Sequence, residues 1–221
     1  MASAEAYTLW LHIAAGVLAL LGGFGALVTS KGGRRHRLSG RVYVAAMTAV
    51  VATVPVLFAF EQSSLRAFLV LVAVFSGYLV FSGYRTMTGR PVGGATTVDW
   101  LGAALVVGAC LALGGWGVSL LAAGTGMGLV LSVFGGIGLA MGVDDLRAFR
   151  TGDPRDGPVV DHLTRMVAGY IATVTAVAVV NLAGTPVPAV AAWLGPTALG
   201  VPLILYWQAK YADVGPLSGV V

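Results

Sequence analysis

The stretch Asp161–Leu182, DHLTRMVAGYIATVTAVAVVNL, decides the fold. After its polar mouth it is an apolar run with no two-residue alternation. About 20 such residues, at 1.5 Å per residue, cross the roughly 30 Å of bilayer hydrocarbon, so the run reads as a transmembrane helix. Within lipid each backbone N–H and C=O must find its partner inside its own segment, and barrel strands would be half as long and alternating. Composition extends this reading to the whole chain. Apolar residues make up 57% and charged residues 10%, against about 45–50% and about 25% in soluble domains.

Working outward, comparable runs recur at Tyr7–Thr29, Arg41–Phe60, Leu65–Met87, Asp99–Ala122, Met127–Phe149 and Val187–Tyr206. With Asp161–Leu182 they make seven spans joined by short connectors. The expected fold is therefore an all-α polytopic membrane bundle, one integral membrane domain over residues 1–221.

The cations order the spans. Lys31, Arg34, Arg35, Arg37, Arg41, Arg85, Arg90, Arg147, Arg150, Arg155, Arg165 and Lys210 fall on one side, and only Arg66 on the other. The excess of Lys and Arg on cytoplasmic loops predicts a cell-membrane protein with its N-terminus outside and its C-terminus in the cytoplasm. The sequence pI near 9.5 follows from that topology. A basic cytoplasmic face should attract anionic lipid, and no nucleic-acid-binding module is recognisable. The leading MASAEAYT holds Glu5 and no cation, the reverse of a secretory signal, so the first span is expected to be a mature helix. The single cysteine, Cys110, excludes an intrachain disulfide and any paired-cysteine metal motif.

Interfacial aromatics fit the layout, with Tyr7, Trp10, Trp116 and Trp193 toward the outer side and Tyr43, Tyr84, Trp100, Tyr206 and Trp207 toward the inner. Glycines cluster inside the spans as GGFG, FSGYLVFSGY and GGIGLAMG, where small residues let helices approach. The chain also echoes itself. HRLSGRVYVAAMTAVV from His36 aligns with HLTRMVAGYIATVTAVAV from His162, and GVLALLGGFGAL from Gly16 with GLVLSVFGGIGLA from Gly128. Both echoes run in one direction, which predicts a parallel repeat of three helices on either side of the fourth.

Three histidines are the candidate functional groups. His12 lies within the first span, above Gly16, Ala19 and Gly23 at helical spacing, and should point into the bundle. An intramembrane ionisable residue is a functional hypothesis by default. With Tyr78, Thr173 and Asn181, His12 is a candidate lining for a small-molecule or ion cavity. Its structural alternative is a neutral ring bonded across helices, to Asn181 or a backbone carbonyl.

His36 and His162 occupy equivalent positions of the repeat on the cytoplasmic side. Two imidazoles with a carboxylate from Asp144, Asp145 or Asp161 would suit zinc or iron. Against this, His36 is expected in a flexible basic loop whose cations oppose a further positive ion. Haem needs axial histidines facing each other at one depth. Only His36 with His162 meets that condition, at a membrane edge that reads as a poor pocket. Asp161 and Arg165, four residues apart, are expected to form a solvated, ion-paired rim at a helix start. No histidine shows a matching depth for Ser76, Ser82, Ser119 or Ser132, so no hydrolase triad is supported, and no enzymatic reaction is legible.

LHIAAGVLALLGG, KGGRRHRLSGRVYVAAM, SGYR at Ser82 and HLTRMVAGYIATVTAVAVVN together resemble an uncharacterised prokaryotic family of predicted membrane proteins, domain of unknown function 2306. The resemblance runs through the sixth span, and the His-Arg-x-x-Gly-Arg-x-Tyr block is its most specific part. His12, His36, Gly40, Tyr43, Arg85, His162, Arg165 and Tyr170 fall in the matching motifs. The family implies a multi-pass membrane fold and carries no established activity. Three readings follow: binding or moving a small molecule or ion within the bundle, histidine-dependent redox or metal binding, and a structural or accessory membrane subunit.

Overall fold

The computed structural model describes residues 2–88, 94–152 and 157–211. Its described residues form seven helices, α1 Ala2–Val28, α2 Arg34–Phe60, α3 Ser64–Thr88, α4 Thr97–Ala122, α5 Met127–Thr151, α6 Pro158–Leu182 and α7 Ala189–Tyr211. Each is long and apolar enough to cross a membrane. The chain is a multi-pass membrane protein, and Tyr7, Trp10, Leu21, Leu105 and Leu199 are among the large apolar side chains on its outer surface, where lipid removes the penalty of exposing them.

Helix starts differ most from the expected spans. α2 begins at Arg34, after Gly33 in extended conformation, so the basic segment is a helical turn and not a flexible loop. Straight-chain arginines favour helix, and their charges can lie in water beyond the apolar run. α4 opens with a capping box in which Thr96 and Asp99 satisfy each other's backbone N–H groups. α6 opens with Pro158, whose missing N–H costs nothing in the first turn. α5 ends at Gly152, whose left-handed φ of 68° turns its N–H back onto the Ala148 carbonyl.

Glycine decides which helices touch. A Cβ on Gly135 would lie 2.6 Å from the Gly114 backbone N, and one on Gly117 2.6 Å from that of Ser132, so α4 and α5 meet almost backbone to backbone. Gly22 meets Tyr43 backbone and Gly25 meets Ser39 across α1 and α2. Gly83 of α3 receives Arg165 and Met166 of α6, and Gly200 of α7 receives Ile171 of α6. α3 is the common neighbour of α2, α4 and α6.

These pairings alter the expected three-plus-one-plus-three repeat. α5 takes α4 as its partner, while its counterpart α1 packs on the repeat helix α2; α6 packs instead between α3 and α7. The echo between α2 and α6 does have a spatial expression, because the Tyr43 and Tyr170 rings meet edge to face at 6.1 Å. Trp193, expected at an interface, is buried against Phe68 at 5.0 Å and Phe134 at 6.1 Å.

Candidate functional site

At the basic end of the bundle, His36 in the first turn of α2 faces His162 near the start of α6. Their ring centroids are 6.4 Å apart with planes at 75°. His36 Nδ1 lies 2.9 Å from the Ala26 carbonyl near the end of α1, and His162 Nδ1 lies 2.8 Å from the Gly83 carbonyl of α3. A carbonyl oxygen only accepts, so both Nδ1 atoms carry hydrogen. In the neutral rings, Nε2 is then the bare, ligand-competent nitrogen. Lys31 Nζ donates to the Ala26 and Leu27 carbonyls at 3.1 and 2.6 Å, tying the end of α1 beside His36.

The carboxylates do not complete a metal centre with them. Among the described residues no group of three His, Cys, Asp or Glu side chains could hold an ion. Asp145 is engaged elsewhere, and Asp161 is half-buried at the start of α6, its N–H bonded to the Gly157 carbonyl.

The expected rim of Asp161 with Arg165 is corrected by burial. Arg165 is 2% exposed and its guanidinium grips Asp145, itself fully buried, with Nη1 and Nη2 at 2.7 and 2.8 Å from the two carboxylate oxygens. Tyr78 donates to the same carboxylate, and Ser82 Oγ accepts from Arg165 at 2.9 Å. Arg165 stands almost two turns inside α6, where an unpaired charge would be costly, and α5 brings Asp145 to it. A second pair closes the same end: Arg85 donates to both oxygens of buried Asp99 at 2.9 and 2.7 Å and to Thr96 Oγ1 at 2.8 Å. Opposite, Arg66 joins Glu5 and Glu61 at 2.9 and 2.7 Å.

The four expected cavity residues are dispersed. His12 Nδ1 lies 2.8 Å from Thr53 Oγ1 on α2. The Thr53 hydroxyl hydrogen is directed at the Ala49 and Val50 carbonyls, so His12 donates, across α1 and α2 rather than to Asn181. Tyr78 belongs to the Asp145 cluster. Thr173 is buried among Tyr43, Met47 and the Gly169 carbonyl. Asn181 is exposed and bonds to Val177 of its own helix. Four residues on three different helices share no lining because their depths and helix faces differ.

Thr53 is the polar partner that sequence reading leaves without a role; Asp145, a candidate metal ligand there, and Ser82, a rejected nucleophile, instead hold Arg165, and a carboxylate inside an apolar run is itself a signal. No protein-family model matches the chain, and no curated protein or solved structure matches it either.

Proposed function

We propose that this is a histidine-dependent metal-binding membrane protein of the cell membrane, in which His36 and His162 offer Nε2 to one metal centre at the cytoplasmic side. The observation that carries this is the facing pair of imidazoles, each fixed by a main-chain carbonyl. Ligating histidines characteristically donate their other ring N–H in this way. The cation distribution supports an outside N-terminus and an inside C-terminus. The motifs from His12 to Asn181 support membership in the domain of unknown function 2306 family, and the basic face suits anionic lipid as a surface partner. The reading of an ion or small-molecule cavity lacks a converging set of residues.

The test is the metal content, free or in porphyrin, of the full chain purified from cells supplied with iron, zinc and copper. One equivalent is expected, lost on His36→Ala and on His162→Ala and retained on His12→Ala. Content indifferent to both substitutions would sink the reading and favour a structural or accessory subunit.

A further inference from the structure

The geometry points to a binding site for one acidic phospholipid on the outer face of α2, its headgroup phosphate held by Arg34, Arg37 and Arg41. This rests on the membrane reading and narrows the attraction of the basic end for anionic lipid to one place. It makes no use of the histidine pair, since His36 turns to the other side of α2, against the Ala26 carbonyl of α1.

Helix geometry gathers the three arginines. At 3.6 residues per turn, Arg37 and Arg41 lie within about 60° and about 20° of Arg34 around the axis, over a rise of about 10 Å, whereas Arg35 is about 100° away. All three are exposed.

Their charge is unanswered within the protein. Arg66 meets Glu5 and Glu61, Arg85 meets Asp99, and Arg165 meets Asp145. Among the described residues Arg34, Arg37 and Arg41 meet no carboxylate.

Their place in the helix is the independent argument. Lys31 donates to the last carbonyls of α1, and Arg150 and Lys210 stand in the last turns of α5 and α7, where the helix dipole favours cations. The α2 cluster instead opens a helix, at the positive end of the dipole. That end has Gly33 as an N-cap with no side-chain bond and no acid in the first turn, whereas α4 and α6 carry Asp99 and Asp161 there. A phosphate supplies the missing counter-charge for the guanidiniums and for the helix end together.

The same face continues into the apolar span, which selects a lipid over a soluble anion. Leu38, between Arg34 and Arg41, is 64% exposed, Val42 is 40% exposed, and Ala45 is exposed one turn deeper. Guanidiniums at headgroup level above bare apolar side chains match an acidic headgroup above its acyl chains.

Native mass spectrometry of the full chain in an uncharged detergent, titrated with phosphatidylglycerol or phosphatidylcholine, tests this. The first phosphatidylglycerol should bind more tightly than the first phosphatidylcholine. Arg34→Gln, Arg37→Gln and Arg41→Gln should each weaken it about fivefold, and the triple variant should fall to the phosphatidylcholine level. The single variants carry the test if the triple variant does not fold. Arg147→Gln with Arg150→Gln, which removes two exposed cations at the same end, should change the affinity by less than about twofold, because separated charges are screened. Metal content should be unchanged throughout, so loss of lipid and loss of metal are separate results. Wild-type affinity in folded α2 variants would overturn the site, as would an equal loss in the Arg147 and Arg150 variant or a wild-type chain that does not prefer phosphatidylglycerol. Displacement of the lipid by an equal concentration of glycerol 3-phosphate would overturn lipid as the occupant in favour of a soluble phosphate.

Discussion

Replacing Arg165 with leucine should be the most damaging single change in the basic half of the bundle. The substitution leaves the Asp145 carboxylate, fully buried, without the guanidinium that meets both its oxygens. Breaking one side of such a pair costs about 3–5 kcal/mol, because the remaining charge stays desolvated. For a chain of this size, each kcal/mol moves the midpoint by about 2–4 °C, so a fall of about 6–20 °C is expected. Tyr78 and Ser82, which also serve the cluster, cannot replace a positive charge. Asp145→Leu combined with Arg165→Met removes both charges and should be less destabilising than Arg165→Leu alone. Asp161→Asn, at a helix start with its own backbone bond intact, should cost about 0.3–1 kcal/mol. Thermal unfolding of these three variants, and of the Asp145→Leu and Arg165→Met singles, in one detergent and at one protein concentration, checks the order. A double variant as damaged as the sum of its singles, or Asp161→Asn costing more than Arg165→Leu, would refute the account of a buried, mutually dependent pair.

Gly135→Ala should destabilise the α4–α5 pair by about 1–3 kcal/mol, since its methyl would strike Gly114 backbone, while neighbouring Gly136→Ala, which meets nothing within 4 Å, should be silent in the same melt. Thr53→Val should lower stability by about 0.6–1.7 kcal/mol through loss of the His12 bond, the range for side-chain hydrogen bonds within membranes; an unchanged midpoint would mean that His12 is not anchored there. For topology, Ser3→Cys and Gly215→Cys on a Cys110→Ser background should differ in intact cells. Position 3 should react with an impermeant thiol reagent and position 215, outside the described residues, should not; the reverse pattern would invert the protein.

The sequence alone determined how many helices there are and that they cross a membrane, because the signal is local: a span needs only enough consecutive apolar residues to match the hydrocarbon. It also determined which end is basic, since the charges sit at span ends. Local chemistry reached some helix starts, such as Met127, and missed others, such as Pro158 and Arg34, where the arginines extend α2 beyond its apolar run. It singled out His36 and His162 through the echo of their surroundings. Only the tertiary structure decided who meets whom. Every span looks apolar to its neighbours in lipid, so hydropathy does not choose partners; close backbone approach at glycine and hydrogen bonds between distant residues do. Arg165 therefore left Asp161, its neighbour in sequence, for Asp145 on another helix, and His12 found Thr53 and not Asn181. The same packing set His36 against His162 at 6.4 Å, a distance fixed by the lateral placement of α1, α2, α3 and α6 that no local pattern of residues encodes.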